Sequence, residues 1–157
     1  MQQVDRALAV LLGLLRWLAL PVALLLFLQW PLRELVRSYS REANDLGQIL
    51  FALFVAASVV AATRAHVHLA TDAVARHYRE TTRRAWAVVG IVAALLPWAL
   101  FVGWSGYPMI RLSVLGAERF PDTGNFGYFI VKLSLGLLVV CVVLQGLLDL
   151  GRWMRKP

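Results

Sequence analysis

Residues 46–63 read LGQILFALFVAASVVAAT, eighteen residues without a charge. At 1.5 Å per residue a helix of that length rises about 27 Å. That nearly matches a hydrocarbon core about 30 Å thick. Small residues recur four apart within it: Ala52 and Ala56, Ala57 and Ala61, Ser58 and Ala62. In lipid such spacing lets helix backbones approach closely. The stretch is therefore a membrane-spanning helix with one side packed on protein. The face carrying Ala56 and Ala57 is the expected docking seam for that protein.

Reading outward, three more apolar runs appear. The first lies at about 10–32, with Arg16 and Pro21 inside it. A cleavable signal peptide competes for this run, but Arg16 would interrupt its apolar core and no small-x-small site follows at the right distance. A retained span is preferred, with Arg16 near one interface and its guanidinium snorkelling outward. The other spans are expected at about 85–104, with Pro97 inside, and at about 126–148, with Lys132 about two turns inside. Lys132 can snorkel or pair with an acid of another chain. Between the third and fourth spans, Gly106–Asn125 carries glycines, Pro108, Pro121 and an Asp122-Thr123-Gly124 turn. The expected fold is an all-α integral membrane protein, one domain over residues 1–157.

Two linkers have amphipathic spacing. In 33–43, Leu35, Val36 and Tyr39 continue the apolar period from Leu32, with Arg33, Arg37 and Arg41 elsewhere on the wheel. An interfacial helix and a solvated loop fit this window equally. In 68–80 apolar residues alternate with Arg76, Arg79 and Glu80, and a second interfacial helix is expected.

Composition agrees. Hydrophobic residues make up 60% of the 157 and charged residues 16%, against roughly 45–50% and 25% in soluble domains. The net charge of +7 comes from short basic loops, which suit anionic headgroups rather than nucleic acid. Nine Lys/Arg fall on the side of the N-terminus, middle loop and C-terminus, and five on the other (Arg33, Arg37, Arg41, Arg111, Arg119). The positive-inside rule then puts both termini in the cytoplasm. The single cysteine, Cys141, excludes an internal disulfide.

No constellation for catalysis or metal binding is visible. The three histidines, His66, His68 and His77, share one loop at a membrane edge, whereas a membrane haem needs axial histidines inside the bilayer. Asp149 and Arg152, three apart, can pair at the inner interface. A transporter working alone would show repeated halves with broken helices at the midplane. These residues point instead to a non-enzymatic helper subunit without cofactors.

Short matches in order along the chain carry a resemblance. Asn44-Asp45-Leu46-Gly47-Gln48-Ile49-Leu50-Phe51 resembles the acidic start of the second span in the DctQ-like small membrane subunits of tripartite ATP-independent periplasmic (TRAP) transporters. Arg64 followed by His68-Leu69-Ala70-Thr71-Asp72 resembles the end of that span. Gly116-Ala117-Glu118 before Pro121, with the Lys132 span ending in Leu144-Gln145, resembles the region of the fourth helix. Asn44 stands for the usual first acid and Thr71 for the usual valine. The resemblance implies an inner-membrane partner of a much larger transport subunit, which moves substrate and sodium by an elevator motion. A periplasmic binding protein would deliver an organic acid. Na+ would bind the large subunit, not this chain. Asp45, His68, Asp72, Glu118 and Lys132 are expected to serve structure or subunit docking. A respiratory membrane anchor and a free-standing tetraspan interaction protein are the alternatives.

Overall fold

A computed structural model describes residues 2–35, 37, 40–65 and 79–155. Among these residues the protein is all-α, and four helical segments are long and apolar enough to cross a membrane: Gln2–Glu34, Arg41–Ala65, Thr81–Leu115 and Tyr128–Trp153, called spans 1 to 4. Lipid offers backbone groups no hydrogen-bond partners, so an uninterrupted helix is the stable state of each apolar run.

That constraint overrides several local signals. Span 1 starts at Gln2, not near residue 10, and a short 3-10 turn at Arg16–Leu18 sits halfway along it. Arg16 and Trp17 are therefore far from either end. Span 3 does not stop at Trp104. It runs through Pro108 to Leu115, because a proline in lipid interrupts one backbone bond without making a water-exposed loop favourable. A π-helical turn at Ile91–Leu95 precedes Pro97. Of residues 33–43, Val36, Ser38 and Tyr39 lie outside the described residues, and the described helical ones divide between the neighbouring spans. Arg33 and Glu34 finish span 1, and Ser40 opens span 2 by accepting the Ala43 N–H at 3.2 Å. Such N-caps satisfy an orphan donor. The helix expected at 68–80 lies outside the described residues up to 78, and Glu80 begins the helix of span 3.

Span 4 is the central element, packed between spans 2 and 3, with span 1 lying along span 2. Leu8, Leu12, Ala57, Val60, Ala99, Cys141, Val142 and Leu148 form the shared core. Small residues set the helix separation. Ala99 is fully buried. A Cβ on Gly146 would lie 2.8 Å from Leu95 Cδ2, and one on Gly103 would lie 3.1 Å from Val139 Cγ1. Spans 3 and 4 thus meet backbone against side chain, the contact small residues permit.

Candidate functional site

Polar side chains gather in two clusters, one at each end of the bundle. At the end holding the two termini, five residues close a ring. The Asp5 carboxylate pairs with Arg64 at 2.7 Å and with Arg152 at 2.6 Å. Arg152 also donates to Asp149 at 3.0 Å. Gln145 donates to Asp149 at 2.9 Å and accepts from Arg64 at 3.3 Å. Gln145 and Asp149 are buried. Two acids face two arginines, so the ring is neutral. It fastens spans 1, 2 and 4 to each other at one level, and removing charged groups from water requires such mutual satisfaction.

At the opposite end, a folded loop does the joining. Span 3 finishes in a Schellman turn: Glu118 N–H bonds Ser113 C=O at 3.0 Å and Ala117 N–H bonds Val114 C=O at 3.1 Å. The left-handed position, usually glycine, is occupied by Ala117 at φ 45°. The Asp122-Thr123-Gly124 turn forms as its composition suggests, with Gly124 at φ 70° and its N–H on Phe120 C=O at 2.8 Å. Asp45, buried in the first turns of span 2, accepts from Thr123 at 2.6 Å and from Asn125 at 3.0 Å. Gly127, at φ 125°, lets the chain swing into span 4 against Ile49. Glu118 accepts from Ser113 and pairs with Lys132 at 2.5 Å. Lys132 also stands 5.2 Å from the Tyr128 ring centre, a favourable cation–π separation. The hydrogen bonds from Lys132 and Ser113 hold the Glu118 carboxyl below its ordinary range.

Those of the residues singled out from the sequence that fall among the described residues each have a definite place. Asp45, Glu118 and Lys132 meet in or beside the loop cluster, and Lys132 finds its acid within this chain. The Asp149–Arg152 pair forms as its spacing suggests. Ala56 and Ala57 need correcting as a docking seam. They are 4% and 5% exposed inside the chain's own bundle, and Ala57 is part of the shared core, while Ala61 on the same span stays exposed. His68 and Asp72 lie outside the described residues. Sequence reading missed Asp5, and it did not join Arg64 and Gln145 to the Asp149 pair. The available signal was position: Gln145 sits four residues before Asp149, and Asp5 and Arg64 occupy the outer turns of spans whose ends must meet.

A family model matches residues 8–156, with the description "Tripartite ATP-independent periplasmic transporters, DctQ component". The chain belongs to the DctQ family. The match takes in all of spans 2 to 4 and most of span 1. Membership makes it a multi-pass membrane protein and the small component of a TRAP transporter, in a family of transporter components rather than enzymes. Searches of curated proteins and of solved structures returned no match.

Proposed function

We propose that this DctQ-family chain is the membrane brace of a sodium-coupled, binding-protein-dependent transporter for organic acids. In this reading a large membrane subunit carries substrate and Na+, and a periplasmic binding protein delivers the substrate. The chain sits in the inner membrane with both termini cytoplasmic, so the Asp5–Arg152 ring faces the cytoplasm and the Asp45 loop faces the periplasm.

One observation carries the brace reading. The polar groups of both end clusters are engaged with one another across spans, in a neutral ring and a pinned loop. Such groups fix helices relative to each other, which suits a static support beside a moving subunit. Reconstitution in liposomes tests this, with the binding protein and a sodium gradient present. This chain alone should give no uptake, and the pair of membrane subunits should give full uptake. Uptake by this chain alone overturns the reading, as does undiminished uptake by the large subunit alone. Reporter fusions after Trp153 and near Asp122 should give opposite compartments, and a periplasmic C-terminus refutes the orientation.

A further inference from the structure

The two end clusters provide a depth scale. Asp45 belongs to the loop cluster and Arg64 to the ring, and both lie in span 2. Their 19-residue separation rises about 28 Å, close to the roughly 30 Å of a hydrocarbon core. The clusters therefore mark the two interfaces.

Arg16 does not belong to either. Asp5 is fixed in the ring, and Arg16 lies eleven residues further along the same span, about 16 Å deeper. That is near mid-membrane. Its side chain is exposed on the outside of the bundle. Among the described residues it has no acidic partner. Its recorded contact is with the neighbouring Trp17 ring, 5.6 Å from the ring centre. A three-methylene stem does not carry a guanidinium from that depth to the headgroups. A charge at the bilayer centre that faces outward is costly, and such residues ordinarily pair with protein.

The surface around Arg16 is built for contact. Leu20, Leu24 and Phe27 follow at four-, eight- and eleven-residue steps, so they share its helix face. They are 62%, 58% and 69% exposed. One turn before Arg16, Gly13 presents bare backbone with open space where a side chain would stand. A neighbouring helix can come close there.

We propose that the Arg16 face of span 1 is the seam on which the large transport subunit docks, through an acidic side chain carried at mid-membrane depth by one of its helices. The inference rests on the proposed partnership and assigns it a surface. Charge complementarity selects the occupant. Lipid tails can cover Leu20 and Phe27 but leave the guanidinium unpaired.

The experiment co-expresses the chain with its large subunit and measures recovery of the large subunit on a tag carried by the small one. Arg16→Leu should lower recovery at least tenfold. The same substitution should leave the isolated small subunit at least as heat-stable as before, since it removes an unpaired charge. A photo-crosslinker at Leu20 or Phe27 should capture the large subunit, and one at Phe101, on the exposed side of span 3, should not. Arg16→Asp should be rescued by changing one intramembrane acid of the large subunit to arginine. Full recovery with Arg16→Leu overturns the proposal, as does capture from Phe101 but not from Leu20 or Phe27, or crosslinking to lipid alone. If Arg16→Leu instead melts the isolated subunit at lower temperature, the residue has an internal role and the docking seam is refuted. Failure of the wild-type pair to co-purify overturns the partnership itself, and is read directly from the unsubstituted control.

Discussion

The two ends of this bundle solve one problem in different ways. At the terminal end, Asp5, Arg64, Gln145, Asp149 and Arg152 reach directly from three spans and close a neutral ring. At the other end the spans are joined by a loop, and Asp45 holds that loop through Thr123 and Asn125. The ring links residues far apart in sequence, so its failure loosens whole helices. Apart from the bonds of Asp45, the loop's polar contacts lie within residues 113–132, so its failure should stay near that end.

Breaking the ring should therefore do the most damage. Removing one member of a fully buried ion pair costs about 3–5 kcal/mol. Here Arg64 and Asp5 are 26% and 30% exposed, so solvent screens part of the loss, and Arg64→Leu should cost about 2 kcal/mol. Thermal unfolding in detergent measures it. The double variant with Asp5→Leu should be less unstable than the two single losses added. Strict additivity would show that the pair is not coupled.

At the loop end, Asp45→Ala leaves two side-chain donors without their acceptor. An unsatisfied group costs about 1–3 kcal/mol when buried. Thr123 and Asn125 are only partly buried, so about 1 kcal/mol is expected. Limited proteolysis should show new cleavage within residues 116–127 and none at Arg64 or Arg152. Cleavage at both ends would mean that the clusters are not independent.

The same loop offers a change of opposite sign. Ala117 holds a left-handed conformation that glycine adopts without its steric penalty. Ala117→Gly should raise stability by roughly 0.5–1 kcal/mol, and a lower melting temperature would contradict the Schellman geometry.

The contrast also explains what the sequence revealed. Four spans were legible because an apolar run of about twenty residues has few other fates in this composition. Asp45 and Glu118 were legible as polar residues near span ends, and Lys132 as a charge about two turns inside the fourth span. The helices run past the expected span ends wherever soluble-protein punctuation was applied. Gly106 and Pro108 mark turns in water, yet here they sit inside a helix whose glycines let span 4 approach. Ala56 and Ala57 carried a packing signal without an address: four-residue spacing says that something lies close, not which chain supplies it. The ring was illegible because its members lie up to 147 positions apart, and only the order of helix packing brings Asp5 to Arg152.

The smallest effect is a pH dependence confined to the loop end. Lys132 and Ser113 hold the Glu118 carboxyl below its ordinary value of 4.5. The folded state thus favours the ionised form more than the unfolded chain does. A group with a lowered folded value contributes stability that is present above the unfolded value and is lost as pH falls through the folded one. Near neutrality the contribution is complete and pH-independent. Below about 4.5 it fades as the carboxylate is protonated and Lys132 loses its counter-charge. Other carboxylates titrate in the same window, so the measurement is a difference. The melting temperature of the wild type minus that of Glu118→Gln should be positive and flat near neutral pH and should shrink under acid. The exposed position of Glu118, 36% for its side chain, keeps that difference small, because water screens such pairs. The loop should also become easier to cleave under acid while the ring end stays protected. A difference that stays constant as pH falls would mean that Lys132 and Glu118 are not electrostatically coupled in the folded protein.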